Sequence, residues 1–279
     1  MDISFIILIS LGAALGVLLL LFLIYLFLIA PGARREATDE FKTLHYAHRG
    51  LHGDGVAENS ITAFEKAASA GFGIELDVRL SKDGVLVVFH DDTLTRVTGK
   101  EGKVIDYTFE ELSRIRLSGT EDTVPSFEEV LATVGGRVPI LVELKEDAGS
   151  LAVTEAAVEM LRTYSGKFLI ESFNPLAIAR VKKLMPEAVR GVLADHFTKN
   201  EGYKKPLYFL LQNLVINVAA RPDFIAFNKS HPKMLSLRLT RMLGAPSLAW
   251  TVKSQAEEDE AKKHGFSGII FEGYIPKEN

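Results

Sequence analysis

Cysteine is absent from the 279 residues. That excludes disulfides, thiolate metal sites and a cysteine nucleophile, and it leaves the redox compartment open. An excess of positive charge is also missing. The formal net charge is −4, so a polyanion such as nucleic acid is not an expected partner. No fixed-period repeat occurs, and no low-complexity tract lies outside the N-terminus. The third absence is local: from Ile3 to Ala30 there is no charged residue. A run of that length spans a hydrocarbon core of about 30 Å with room for tilt.

A cleaved signal peptide is the rival explanation of that run. It would open on Lys or Arg, carry a shorter apolar core and close on a small-x-small site. Here the only early charge is Asp2, and the exit reads Ile-Ala-Pro-Gly-Ala-Arg-Arg. The sequence therefore predicts a retained transmembrane anchor over residues 3–30, a linker over 31–42 and one large domain over 43–279. Arg34, Arg35 and Lys42 follow the span and no basic residue precedes it. The positive-inside rule then predicts a single-pass protein of the cell membrane with its large domain in the cytoplasm. Oligomeric state is left open.

Beyond the linker, short β-rich runs alternate with amphipathic helical runs. The predicted strands are Thr43–Ala47, Gly73–Leu80, Val85–His90, Pro139–Leu144, Phe168–Ser172, Ala188–Ala194, Asp223–Phe227, Ser247–Val252 and Gly268–Phe271. Most are continuous apolar runs, as expected of strands covered on both faces. Ser60 and Asn174 stand where N-caps belong, and Ser126 with Glu129 forms a capping box. Only Ser-Lys-Asp-Gly separates the second and third runs, and Asp83-Gly84 is a two-residue hairpin signal. Setting that ribbon arm aside leaves eight strands, which predicts an α/β chain folded as a (β/α)8 TIM barrel. The segment Leu207–Val218 is unusually apolar. It is expected as a buried barrel helix, with a membrane-resting face as the alternative.

In such a barrel, chemistry sits where strands end at the C-terminal face. Those ends read His48-Arg49-Gly50, Glu75-Leu76-Asp77, His90-Asp91, Glu143-Leu144-Lys145, Ser172-Phe173-Asn174 and Trp250. Glu75 and Asp77 are two apart on a strand and so share a face. Two carboxylates that close repel, and the usual remedy is a hard divalent cation. Glu143 offers a third ligand, and Lys145 beside it can pair with a phosphate oxygen. With Asp83-Gly84 as the loop, His90 falls opposite Asp77; a one-step change puts it opposite Glu75. Two histidines on this face, His48 and His90, can supply the acid and base needed at the two ends of a phosphodiester. His45, His196 and His264 are expected to be structural.

Taken together, Ala-His-Arg-Gly (47–50), Glu-Asn-Ser-x-x-Ala-Phe (58–64), Glu-Leu-Asp-Val (75–78) and Lys-Asp-Gly-Val-Leu-Val-Val-Phe-His-Asp (82–91) resemble the glycerophosphodiester phosphodiesterase family. Leu94-Thr95-Arg96-x-Thr98, Val-Pro-Ser-Phe-Glu-Glu-Val-Leu (124–131), Glu-Leu-Lys (143–145) and Ser-Phe (172–173) follow in the same order. The resemblance runs from about residue 44 to the end. It implies a barrel of the phospholipase C-like phosphodiesterase type, with His48 and His90 as acid and base. It also implies Glu75, Asp77 and Glu143 as ligands of Mg²⁺ or Ca²⁺, and Arg49 and Lys145 as phosphate-binding groups. Asn59, Phe173 and Trp250 are candidates for the substrate pocket. The expected reaction turns a glycerophosphodiester into glycerol 3-phosphate and an alcohol. A lysophospholipase D acting on lipid-tailed phosphodiesters is the alternative within the class. A catalytically silent, membrane-tethered module is the alternative outside it, disfavoured because every catalytic position is filled. One departure is the last strand, Gly-Ile-Ile-Phe-Glu-Gly-Tyr, where family members often end in Thr-Asp-x-Pro. It is expected to bear on barrel closure and not on catalysis.

Overall fold

The computed structural model describes residues 3–32, 35–39, 41, 45–146, 149–199 and 205–277, without the side chains of Arg35 and Glu36. Arg34 and Lys42, on which the topology expectation leans, and residues 43–44 of the first predicted strand lie outside the described residues. Among the described residues nine strands form one sheet: β1 His45–Ala47, β2 Gly73–Leu80, β3 Leu86–Val88, β4 Ile140–Leu144, β5 Phe168–Ser172, β6 Val189–Ala194, β7 Phe224–Asn228, β8 Ser247–Val252 and β9 Gly268–Phe271. All neighbours are parallel except β3, which runs antiparallel on β2. β1 pairs with both β2 and β9, so eight parallel strands close into a barrel and β3 stands outside it as a ribbon.

Period-two alternation decides what fills the barrel. Tyr46, Leu141, Leu169, Val189, Leu193, Phe224, Leu248 and Ile270 form one buried apolar cluster. The residues between them, such as Ile74, Val142, Ile170, Val192, Ile225 and Ile269, belong to a second cluster shared with the surrounding helices. Gly191 has no side chain because the Phe224 ring occupies that space: a Cβ there would meet it at 2.2 Å. Phe41 joins the inner cluster, and Gly32 N donates to Pro222 O at 2.8 Å, so part of the predicted linker is packed on the barrel. Residues 81–139 leave the barrel between β2 and β4. They hold a satellite core of Val87, Phe89, Leu94, Val97, Val104, Leu112, Leu117 and Val124.

Local signals act as expected at the caps. Ser60 accepts from Ala63 N, Asn174 from Leu176 N, and Ser126 and Glu129 close a reciprocal box. The hairpin differs. Val78 pairs with Val88 and Leu80 with Leu86, and Ser81 N donates to Val85 O at 2.9 Å. The loop is therefore three residues, Lys82-Asp83-Gly84, with Gly84 at φ +81. Asp83 does not take the first position of a two-residue turn. Its carboxylate instead accepts from Ser81 Oγ and Phe109 N, which ties the turn to the satellite core. Phe89, not His90, bonds opposite Asp77. His90 lies past the end of β3, in neither expected register.

Leu207–Val218 is not one buried helix. It is a helix Pro206–Gln212, a turn, and a short helix Asn217–Ala220. Leu207, Phe209 and Leu210 are 53%, 58% and 40% exposed. The N-terminal helix Ile3–Ile29 has 27 residues, with Ile29 as its one buried member.

Candidate active site

The strand ends of β1, β2, β4 and β5 converge. Asp77 is in register with Glu143, and Glu143 with Glu171, across β2, β4 and β5. Glu75, Asp77 and Glu143 are 2%, 1% and 6% exposed, and each offers an oxygen within 4.8 Å of the others. Lys145 Nζ lies 2.6 Å from Glu143 Oε1 and 3.1 Å from Asp77 Oδ1. Asn59 Nδ2 donates to Asp77 Oδ2 at 2.9 Å.

Burial pushes Glu75 well above the usual carboxylate range, and the charges of Asp77 and Glu143 push the same way. Glu143 is pushed up to about 7, by burial first and by Asp77, against the pull of Lys145. Burial would raise Asp77 too, but Lys145, His90 and Arg49, with the Asn59 amide, outweigh it and hold it low. The three groups cannot all ionise comfortably in one dry pocket. An all-oxygen, excess-negative set of this kind fits a hard divalent cation.

Arg49 follows β1 and is held in the left-handed region at φ 56, a conformation that costs a non-glycine residue on the order of 1 kcal/mol or more. Its backbone N donates to Glu75 Oε2 at 2.9 Å, and its carbonyl accepts from Asn59 N at 2.9 Å. Its guanidinium meets Glu58 at 2.8 Å and Asp77 at 3.5 Å. Gly50 follows at φ +80, and a Cβ there would strike Ala63 backbone at 2.8 Å. Position 50 of this turn can thus hardly hold anything but glycine.

Both proposed proton-transfer histidines are oriented by carboxylates. His48 Nδ1 lies 2.6 Å from Glu272 Oε2, and His90 Nδ1 lies 2.5 Å from Asp91 Oδ1. The His90 backbone carbonyl also accepts from Arg79 Nε at 2.9 Å. Glu272 is held down at about 2, chiefly by the His48 hydrogen bond. Asp91 is also held at about 2, because Arg96 and His90 outweigh burial. Each carboxylate is therefore an acceptor, and each imidazole presents Nδ1–H to it. Burial lowers both histidines, with Glu272 opposing at His48 and Asp77 opposing at His90.

Residues 48–273 match the Glycerophosphoryl diester phosphodiesterase family. The chain belongs to that family. A glycerophosphodiester phosphodiesterase of Caldanaerobacter subterraneus subsp. tengcongensis is 31% identical over 252 residues, which cover 82% of this chain and 93% of that one. A glycerophosphodiester phosphodiesterase of Bacillus subtilis is 26% identical over 253 residues, covering 82% and 83%. Among solved structures, an Oleispira antarctica phosphodiesterase in complex with sn-glycerol-3-phosphate superposes with a TM-score of 0.70 at 24% identity, covering 83% of this chain and 94% of that one. A glycerophosphodiester phosphodiesterase of Thermotoga maritima gives 0.64 at 26% identity, covering 82% and 94%. The chain is an enzyme of the glycerophosphodiester phosphodiesterase class.

The family site holds groups that sequence reasoning missed. The last strand's departure, expected to bear on barrel closure and not on catalysis, bears on the site: β9 pairs with β1 in regular register from His45↔Ile269 to Ala47↔Phe271, with a register shift only against β8, while Glu272 bonds His48. Glu58 and Arg96 form a bridge, with Arg96 Nη2 2.6 Å from Glu58 and Nε 2.5 Å from Asp91. That chain of ion pairs links Arg49 to His90. His52 groups with His48 and Glu272. Glu171 is 1% exposed, pushed well above its usual range by burial and by Glu143 and Glu75. Its signal was present: a lone acid near the end of the strand that follows Glu-Leu-Lys. Of the remaining histidines, His45 meets Glu258 at 2.9 Å and His264 meets Glu260 at 3.0 Å, as structural residues do.

Proposed function

We propose that the enzyme hydrolyses glycerophosphodiesters to glycerol 3-phosphate and an alcohol, using a divalent cation, Mg²⁺ or Ca²⁺, held by Glu75, Asp77 and Glu143. The observation that carries this reading is the buried carboxylate trio beside two carboxylate-oriented histidines on one barrel rim. The cation would polarise a phosphoryl oxygen and offset the charge that builds there. Arg49 and Lys145 bring further positive charge to the phosphate, and Asn59 fixes Asp77. With Nδ1 tied to a carboxylate, each histidine has Nε2 for substrate. One takes the proton of the attacking oxygen nucleophile and the other returns a proton to the departing alcohol. The product named with the Oleispira antarctica structure supports glycerol 3-phosphate as the retained half.

We also propose that the N-terminal helix is a single-pass anchor of the cell membrane, with the barrel on the cytoplasmic side. Its length, its apolar composition and the exposure of all but its last turns support a span, and the basic residues after it support the side. The experiment is to incubate the full chain in detergent with glycerophosphocholine, with and without a chelator, and to measure choline and glycerol 3-phosphate. Release that stops on chelation and returns with Mg²⁺ or Ca²⁺ supports the reading. Full activity after exhaustive chelation removes the cation from it. Protease added outside intact cells should spare the barrel; digestion from outside would reverse the topology.

A further inference from the structure

A cavity of about 640 Å³ opens beside the catalytic rim, lined by Phe173, Phe197, Leu207, Leu211, Ile216 and Trp250 among others. That volume is in the range of small-molecule sites, roughly 300–1,000 Å³, and its walls are mostly apolar. Besides Tyr208 and Trp250, which are mainly ring, the polar residues in the wall are Asn174 and Asp195, and each is engaged locally. Asn174 Oδ1 accepts from Leu176 N, and Asp195 Oδ1 from His196 N. At its inner end Phe173 stands edge-on to Trp250, with centroids 5.5 Å apart. Lys145 Nζ lies over the same Phe173 ring, 5.9 Å from its centroid. One ring thus lines the apolar cavity and also touches the lysine that joins Asp77 and Glu143.

The outer wall of the cavity is the helix Pro206–Gln212, whose Leu207, Phe209 and Leu210 are exposed. The N-terminal helix runs against the same part of the barrel. Its last residues sit at the foot of β7, where Arg221 Nη1 donates to Phe27 O at 2.8 Å and Ala30 O at 3.1 Å. About a turn earlier, Tyr25 OH donates to Asn213 O at 3.1 Å, next to the end of the cavity helix. Moving towards its N-terminus, the helix therefore climbs from the foot of the barrel towards the catalytic face. Only Tyr25, Leu26 and Ile29 of this helix pack on the core. About 20 residues suffice to cross a bilayer, and the 27-residue helix leaves these last turns to hold the barrel. The bilayer would then lie on the side of the catalytic face, against the exposed leucines and Phe209.

We propose that this cavity receives the single acyl chain of a monoacyl glycerophosphodiester drawn from that bilayer, so that the enzyme acts on lysophospholipids. This deepens the proposed phosphodiesterase activity and rests on it and on the anchor. A water oxygen joins phosphorus, the bond from phosphorus to the headgroup oxygen breaks, and the headgroup alcohol leaves with a proton. The acylated glycerol phosphate keeps its chain in the cavity. An apolar occupant follows from the walls, and an acyl chain follows from the membrane helix beside the mouth.

The test compares choline release from glycerophosphocholine and from palmitoyl lysophosphatidylcholine held in phosphatidylglycerol vesicles, with the full chain reconstituted. The wild type should favour the palmitoyl substrate in kcat/KM at least tenfold. Leu211→Trp, which fills the cavity, should erase that preference and leave glycerophosphocholine within twofold. Preference for the deacylated substrate, or an equal fall on both in the variant, overturns the proposal. Should Leu211→Trp not fold, the wild type alone decides with monomeric hexanoyl, octanoyl and decanoyl substrates. Its kcat/KM should climb with chain length, by up to about fourfold per methylene, and a flat series overturns the proposal. Phe209→Glu should slow the vesicle-held substrate and spare the monomeric octanoyl one; equal rates overturn uptake from the bilayer. Turnover of glycerophosphocholine alone defeats the acyl-chain site and leaves the phosphodiesterase reading standing. No turnover of either substrate defeats both.

Discussion

The two halves of the catalytic rim are built on opposite plans. Around β1, β2 and β9, every functional side chain is held by several charges. Arg49 meets Glu58 and Asp77, Glu58 meets Arg96, and Arg96 meets Asp91, which orients His90. Around β5, β6 and β8 the same rim carries Phe173, Phe197 and Trp250, joined by ring-edge contacts at 5.5–6.0 Å. Such pairs are worth about 0.5–1.5 kcal/mol each and can repack. The charged half is over-determined, which suits the proton transfer proposed for it, since misplacing a reacting group costs rate steeply. The apolar half is loosely specified, which suits the proposed acyl chain, since an apolar ligand needs mainly volume and dryness.

If the comparison holds, the largest losses come from the charged half. His48→Ala and His90→Ala should each lower kcat by about 10²–10⁴. Their double variant should lose less than the product of the two, because both act in one reaction. A folded His90→Asn variant with near-normal turnover would remove His90 from the chemistry. Next in size are the carboxylates. Glu75→Gln, Asp77→Asn or Glu143→Gln should each cost roughly 10²–10³-fold, the equivalent of a few kcal/mol of lost charge stabilisation. Glu171→Gln should stay within tenfold, since Glu171 is not one of the three acids whose oxygens cluster within 4.8 Å. A loss at Glu171 equal to that at Glu143 would make it a fourth ligand.

Glu272→Gln is a finer probe. Its loss should be about 10–100-fold, the range typical of partners that orient a functional imidazole. The hydrogen bond and charge of Glu272 both hold the His48 pKa up against burial. Without them that pKa falls further, so the limb of the pH–rate profile that tracks His48 should move to lower pH. Stability should change as well. Glu272 titrates at about 2 in the folded chain and near 4.3 when unfolded. Its contribution is present above the unfolded value and is lost as pH falls towards 2. Thermal melts of Glu272→Gln between pH 5 and pH 2 should therefore be flatter than wild type. An unmoved pH–rate limb would mean that His48 is not held by Glu272 in solution.

The barrel was legible because its strands are long apolar runs that end in charge. Six of the nine predicted runs coincide with the observed strand or exceed it by only one residue at one end, among them Gly73–Leu80, Phe168–Ser172 and Gly268–Phe271. The carboxylate trio was legible for the same reason: parallel register puts Asp77 beside Glu143 without any loop to guess. What failed depended on loops and on distance in sequence. The hairpin signal Asp83-Gly84 is compatible with loops of two or three residues, and the hydrogen bond from Phe109 to Asp83 that decides it comes from 26 residues away. Glu272 lies 224 residues from His48, and no local pattern joins them. Leu207–Val218 was misjudged because apolar composition alone cannot separate a helix that faces a core from one that faces a lipid surface.

The smallest expected effect tests how the apolar half is mounted. Arg221 donates to the last carbonyls of the N-terminal helix, and its guanidinium lies 4.6 Å from the Phe27 ring centroid. A cation over an aromatic ring at an exposed site is worth about 0.5–1 kcal/mol. Arg221→Ala should therefore loosen the junction without unfolding the barrel. Residue 221 is already in the left-handed region at φ 44, so the substitution adds no backbone conflict that arginine lacks. Soluble glycerophosphocholine reaches the charged half directly, and its kcat/KM should stay within twofold. In the proposed arrangement, palmitoyl lysophosphatidylcholine in vesicles passes the cavity helix, whose height above the bilayer would depend on this junction. Its turnover should fall by roughly two- to fivefold, the fold-change that corresponds to the same energy. Equal falls on both substrates would mean that Arg221 supports the barrel as a whole, and the two halves of the rim would then share one mechanical fate.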